Sequence, residues 1–256
     1  MRARVIAYYL PQFHPTPEND KYWGKGFTEW TNVAKAKPLF KGHYQPQIPA
    51  DLGFYDLRIP EVRNEQAELA KEAGVEGFCY WHYWFGGGKK TLNMPFEEVL
   101  RLGKPDFPFC LGWANHSWTT KTWEAGKTFS TDTMIFEQTY PGDEDYIAHF
   151  FDVLPAFKDK RYITVEDKPL FVIFDPDDFK DVSRFIELWN KLAIENGLNG
   201  IYFVGRCDAL PTMNLKKYKQ INDFACNRYE QVLKKGFNGV NSITLKYAEF
   251  KATGVI

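Results

Sequence analysis

The residues best suited to chemistry in this chain are carboxylates set among aromatic rings. Glu29 lies in WGKGFTEWTNV (residues 23–33), between Phe27 and Trp30. A carboxyl desolvated by rings is held toward its protonated form, which suits it to donate a proton or to accept bonds from sugar hydroxyls. The competing reading is a loop-packing motif in which Glu29 caps backbone amides. Asp175 ends an apolar run in FDPDD (residues 174–178). At the end of a barrel strand it is placed for catalysis or for holding a sugar. Asp175-Pro-Asp177 also has the form of the Asp-x-Asp that holds a metal in nucleotide-sugar transferases. Asp beside Pro is ordinary turn chemistry ahead of a helix, however, and no metal is expected.

Two aromatic stretches accompany these acids. In FCYWHYWFGGG (residues 78–88), six of the first eight residues are aromatic, one is histidine, and three glycines follow. WANHSWTTKTW (residues 113–123) sets three tryptophans beside Asn115 and His116. Sugars present apolar C–H faces and rings of hydroxyls, so stacking rings with Asn, His and carboxylates are the matching chemistry. Core packing of strand ends is the alternative. Along an extended segment Tyr80, His82 and Trp84 share one side, and Cys79, Trp81 and Tyr83 the other. The glycines read as the start of a flexible rim. His14, His43 and His149 show no HxH or HxxxH spacing, so a metal site is not expected, and neither GxSxG nor a P-loop occurs.

The elements that must position these residues read as an α/β chain. Six apolar runs predict strands at 5–10, 77–83, 108–114, 169–175, 200–205 and 222–226. Most are nearly continuous rather than alternating, as in parallel strands buried on both faces. Helical patterns at 59–73, 146–157 and 182–196 lie between them, the first opening on Pro60 and closing at Gly74. Long irregular segments at 11–57, 85–95 and 115–141 each follow a strand's C-terminal end, where a (β/α)₈ barrel builds its active site. A doubly wound sheet would carry a glycine-rich first turn, and PQFHP follows the first strand instead. The expected class is α/β, TIM-barrel type, incomplete, with about six of eight βα units in a single domain spanning 1–256.

Composition narrows the partners. The formal net charge is −1, with Lys and Arg scattered along the chain, so neither nucleic acid nor an anionic membrane is indicated. No run approaches the roughly 18 apolar residues of a membrane span. The start, MRARVIAYYLPQF, has only a short apolar run, cut at Pro11, and does not read as a signal peptide. The four cysteines are far apart without a CxxC pair, which reads as a reduced, cytoplasmic protein. No cofactor is implied.

YYLPQFHPTPENDKYWGKGFTEWTNVAKAKPLFKGHYQPQIPADLGFYDLR, then GFCYWHYWF and PDFPFCLGWANHSW, resembles the WbsX-type proteins. These are glycoside hydrolase family 99-like proteins found in bacterial surface-polysaccharide gene clusters. The likeness is close over about the first 130 residues and looser beyond. It implies a (β/α)₈ barrel acting on α-linked, mannose-like glycans with retention, through two carboxyl groups. WbsX-type proteins have also been labelled glycosyltransferases, so transfer in lipopolysaccharide or O-antigen biosynthesis is the alternative. The resemblance carries over wall positions only: Tyr8, Tyr9, Trp30, Trp81, His82, Trp84, Trp113 and Asn115. The chain departs from the family in two places. Many members read WANENW where this chain has WANHSW, so His116 replaces a carboxylate. The family's paired glutamates sit in a late NEW-x-EG motif, and this sequence, which runs to Ile256, contains none. The expectation is a C-terminally truncated domain whose catalytic pair lies elsewhere, with a non-catalytic carbohydrate-binding remnant as a further reading. The partner is an oligosaccharide or polysaccharide.

Overall fold

A computed structural model describes residues 3–120, 133–207 and 221–242. In chain order the elements are β1 (Ile6–Tyr9), α1 (Pro17–Trp23), α2 (Glu29–Lys35), α3 (Pro60–Glu72), β2 (Gly77–His82), α4 (Met94–Leu102), β3 (Phe109–Trp113), β4 (Trp118–Thr119), β5 (Met134–Phe136), α5 (Asp143–Phe157), β6 (Thr164–Val165), β7 (Lys168–Ile173), α6 (Val182–Glu195), β8 (Tyr202–Cys207), α7 (Ile221–Lys234) and β9 (Gly239–Ser242). Parallel strands alternating with helices make this an α/β fold of the (β/α)₈ type, and β1, β2, β3, β7, β8 and β9 are the six barrel-type strands among the described residues.

The chain forms two compact units. The first comprises Met1–Tyr83, Lys90–Phe109 and Ser117–Glu137. Here β1 pairs in parallel with β2, Ile6 opposite Gly77 and Tyr9 opposite Tyr80. Tyr9, Phe78 and Tyr80 pack as a ring cluster that Phe96, Phe107 and Phe109 extend. α1 starts where it must: Pro17 occupies its first turn, and the Thr16 hydroxyl accepts from the Asn19 amide at 3.2 Å.

The second unit comprises Trp84–Lys89, Cys110–His116 and Gln138–Ile256. β3, β7, β8 and β9 run parallel in that order. Every residue of β3 is buried, as the unbroken apolar run predicts. β8 alternates instead: Phe203, Gly205 and Cys207 are buried while Tyr202, Val204 and Arg206 are half-exposed. The core lies between the sheet and α5 with α6, centred on Trp189, whose ring meets Phe171 at 4.9 Å and Phe185 at 4.4 Å. Its indole N–H donates to the Tyr146 carbonyl at 2.9 Å, so this fully buried ring leaves no polar atom stranded. Gly205 allows close packing, since a Cβ there would lie 2.7 Å from Val232.

Several expectations are corrected. Residues 222–226 belong to helix α7, and the sixth parallel strand is β9. The sequence there repeats apolar residues at 221, 224, 225, 229, 232 and 233, a helical spacing into which the short run NDFAC falls. β9 escaped notice because GVNS holds one apolar residue and depends on pairing with β8. The segment 11–57 is not wholly irregular, for it holds α1 and α2. Part of 115–141 forms the antiparallel pair β4–β5.

Candidate functional site

In the second unit the ends of β3 and β7 are tied by one side chain. Asn115 is completely buried. Its amide nitrogen donates to the Asp175 carbonyl at 2.7 Å and to the Tyr140 hydroxyl at 3.0 Å, and its oxygen accepts from the Asp175 N–H at 2.7 Å. Tyr140 in turn donates to the Asn115 carbonyl at 3.2 Å. Asp175 Oδ1 accepts from the backbone N–H groups of Asp177 and Asp178, at 3.0 and 3.1 Å, the turn chemistry that Asp-Pro invites. Burial pushes the Tyr140 phenol well above its usual range, and the nearby charges of Asp178 and Asp175 add to this, against the Asn115 hydrogen bond. Tyr140 lies flat on Phe179 at 4.1 Å and lines a polar cavity of about 400 Å³ with Thr139, Asp178, Lys180 and Asp181.

The remaining acid of the Asp-x-Asp triplet is occupied. Asp177 accepts from Lys235 Nζ at 2.7 Å and pairs with Arg228. Burial raises its carboxyl, but the two cations outweigh this and hold it below the usual range. Neither acid is left as an open ligand pair. Beside them Phe174 is flanked by the His116 ring, at 4.8 Å, and by the Arg206 guanidinium, 3.9 Å from the ring centre.

Trp84 and Trp113, expected to face sugar, lie inside this unit's core. Trp84 stacks on His149 at 4.7 Å and donates its indole N–H to Asp145 Oδ2 at 3.0 Å. Trp113 is 1% exposed and donates to the Trp84 carbonyl at 2.9 Å. Both indoles find apolar faces and acceptors in the interior, so packing takes them. The glycines after Trp84 form a pinned turn rather than a loosened rim. The Gly87 N–H donates to Asp145 Oδ1 at 2.7 Å, and the Thr139 N–H and hydroxyl both bond the Phe85 carbonyl. Gly86 has φ +88°, and a Cβ there would lie 2.4 Å from Thr139 Oγ1.

In the first unit Tyr8, 43% exposed, stacks on Trp81 with ring centres 4.7 Å apart and planes 5° apart. Tyr9 faces the other way: it is buried, and its hydroxyl donates to Gln66 Oε1 at 2.5 Å. It borders a second cavity, of about 340 Å³, with Phe13, Tyr55 and Phe78. His82 is buried. Trp30 packs against Phe13 and Tyr55 and donates to the Tyr55 carbonyl at 2.8 Å, so its ring braces the loop. Glu29 opens α2, and burial raises its carboxyl from the usual range. A helix start favours the ionised form, so desolvation is the stronger influence. Tyr83 feels the Glu29 charge: its phenol is raised by burial first, and by Glu29 in addition, against a bond from Gln12 Nε2 at 3.3 Å. Tyr83 also stacks on Trp118 at 5.9 Å. Trp123 falls outside the described residues.

Sequence reasoning missed Tyr140, Tyr83 with Gln12, and Arg206. Only the placing of Tyr83 in the aromatic run gave a signal; the others take their setting from residues remote in sequence.

A family model described as "Glycosyltransferase WbsX" matches residues 5–252. A protein named WxcX and described as uncharacterised, from Xanthomonas campestris pv. campestris, is 42% identical over 202 residues, which are 78% of this chain and 28% of that protein. Its counterpart from a second strain of that pathovar matches equally. The chain thus spans under a third of the length of these relatives. Among solved structures, a GH99 endo-alpha-mannosidase from Bacteroides thetaiotaomicron in complex with bis-tris propane has a TM-score of 0.49 and 14% identity, over 97% of this chain and 64% of its own. A structure called a glycoside hydrolase-like protein gives a TM-score of 0.47 at 14% identity, over 94% of this chain and 69% of its own.

Proposed function

We propose, from the premise that the chain belongs to the WbsX family, that it is the greater part of a glycoside hydrolase-type domain acting on a bacterial surface polysaccharide or a related α-linked, mannose-like glycan. The observation that carries this reading is Glu29: a carboxyl held toward its protonated form by burial, whose charge in turn reaches Tyr83, in a unit that also displays the Tyr8–Trp81 stack. An exposed Tyr8 ring coplanar with a half-buried Trp81 offers a flat apolar surface that a sugar's C–H face can cover, and a partly desolvated carboxyl accepts hydroxyl protons or gives one to a glycosidic oxygen.

In this reading Tyr8 and Trp81 bind, Glu29 contacts the sugar, and Asn115 and Trp30 position their loops. Trp84 and Trp113 act from the core by fixing the strand ends. Within the second unit, His116 and Asp175 are the groups proposed to contact sugar. The glutamate pair that the family resemblance assigns to bond cleavage has no counterpart motif in this sequence, so this chain supplies binding groups and the pair belongs to the remainder of a longer domain. No helix among the described residues is long and apolar enough to cross a membrane. A cytoplasmic site of action is part of the proposal.

The test is binding of α-linked manno-oligosaccharides to this chain by calorimetry, with Trp81→Ala expected to abolish it. A panel of surface glycans and mannosides that all fail to bind would refute the reading. A glycosyltransferase is the second reading, favoured by the family model's own description. It is separated by product: new reducing ends mark hydrolysis, and consumption of a sugar nucleotide or lipid-linked sugar with growth of the acceptor marks transfer.

A further inference from the structure

The two most exposed large apolar side chains among the described residues are neighbours in the chain, Leu39 at 83% and Phe40 at 67%. Tyr44 and Ile48, a few positions on, are exposed as well. Apolar residues exposed singly are ordinary, but a cluster in one short segment marks a contact surface. The segment follows α2 and is held by local bonds. The His43 N–H donates to the Phe40 carbonyl at 3.1 Å, and the Leu39 N–H donates to His43 Nδ1 at 3.2 Å. The Phe40 ring lies flat on the imidazole at 4.6 Å. Residues 39–43 are therefore one tied turn.

The charge along this segment has one sign. Between Glu29 and Asp51 the sequence holds Lys35, Lys37 and Lys41 and no acid. All three lysines are exposed, and none pairs with a carboxylate among the described residues. The near-zero net charge of the whole chain conceals this local excess. Leucine and phenylalanine exposed between lysines, with histidine and tyrosine alongside, match the boundary of a lipid bilayer. Apolar side chains enter the acyl edge, amphipathic rings stay at headgroup depth, and ammonium groups meet lipid phosphates. Two neighbouring side chains fall well short of the roughly 800 Å² that a specific protein partner covers on each side. A bilayer needs no matched cavity, so a few inserted groups with shared charge attraction suffice.

We propose that residues 35–48 form a peripheral membrane contact, with Leu39 and Phe40 inserted at the surface of an anionic bilayer and Lys35, Lys37 and Lys41 over its headgroups. Such a contact lies on the membrane without spanning it, and it does not depend on the carbohydrate reading above.

The experiment is co-sedimentation of the full chain with sucrose-loaded vesicles, made of phosphatidylcholine alone or mixed in equal parts with phosphatidylglycerol. The chain should pellet with the anionic vesicles, stay in solution with the neutral ones, and be released as salt is raised. At about 5-fold per lysine, Lys35→Gln, Lys37→Gln and Lys41→Gln together should weaken binding roughly 100-fold. Leu39→Ser with Phe40→Ser should weaken it by at least about 10-fold. Ile194→Ser, at a comparably exposed position on α6, should leave it unchanged. Circular dichroism checks that each variant keeps the fold. A wild-type chain that ignores anionic vesicles, or pellets equally with both kinds, overturns the inference. Binding that survives both sets of substitutions overturns it too. Self-association abolished by the Leu39 and Phe40 changes, without vesicle binding, also overturns it and gives the turn to a second copy of the chain.

Discussion

Replacing Asn115 by alanine should cost the protein a large part of its stability. The side chain is completely buried and makes three hydrogen bonds, two to the backbone of Asp175 and one to Tyr140. At a net value of about 1 kcal/mol each these sum to ~3 kcal/mol, and leaving the Asp175 N–H and C=O without their partner adds up to about another 1 kcal/mol, for a total of about 3–4 kcal/mol. A domain's whole stability is only about 5–15 kcal/mol. Asn115→Asp is the sharper probe. It keeps an acceptor for the Asp175 N–H but turns a carboxylate oxygen toward the Asp175 carbonyl, where the amide had donated, so it should be as damaging as alanine despite equal size. Urea unfolding followed by tryptophan fluorescence measures both. With a slope of about 2 kcal/mol/M, each midpoint should fall by roughly 1.5–2 M. A fall of under about 0.5 M in alanine, or an aspartate variant equal to the wild type, would refute the view that this amide clamps β3 to β7.

The core of the second unit should respond to Trp189→Ala with a loss of about 3–5 kcal/mol, because a fully buried ring leaves a cavity; calorimetric melting checks it. Gly86→Ala should destabilise by more than about 1 kcal/mol, since its φ of +88° disfavours a side chain and the new Cβ would meet Thr139 Oγ1 and its carbonyl; the same variation at Gly53, with open space around it, serves as a control for the clash. The Asp177 carboxyl is held below its unfolded value by Lys235 and Arg228, so its contribution is present above the unfolded pKa and is lost as pH falls through the lower folded one. Asp177→Asn should therefore flatten the acid limb of the stability–pH curve below about pH 4, and an unchanged limb would count against the pairing.

Much of the architecture was legible because it depends on short-range patterns. The apolar runs at 5–10, 77–83, 108–114, 169–175 and 200–205 became β1, β2, β3, β7 and β8. Pro60 and Gly74 bracket α3 as their fixed and free φ values require. The failures are equally physical. β9 holds one apolar residue and is a strand through its bonds to β8, while NDFAC joined a helix whose period is visible only over a longer window.

For the site, residue type was readable and direction was not. The composition of FCYWHYWFGGG and WANHSW announced rings, amides and an imidazole at strand ends, and Glu29 stood among rings in the sequence; burial raises its carboxyl. Alternation along the strand divided the rings into two sets, but could not say which set met helices and which met solvent. Trp84 and Trp113 went inward because His149 and Asp145, on α5, offered a stacking face and an acceptor. Asn115 is consumed by Asp175, 60 residues away, and Arg206 is aimed by Phe174. The sequence alone determined the parallel α/β class, the strand ends and the kinds of group gathered there, because backbone preference and hydrophobic period act over a few residues. Only tertiary structure decided which of those groups are spent on one another and which remain to meet a ligand, because a hydrogen bond or stacking contact is a distance between atoms that the chain brings together from far apart.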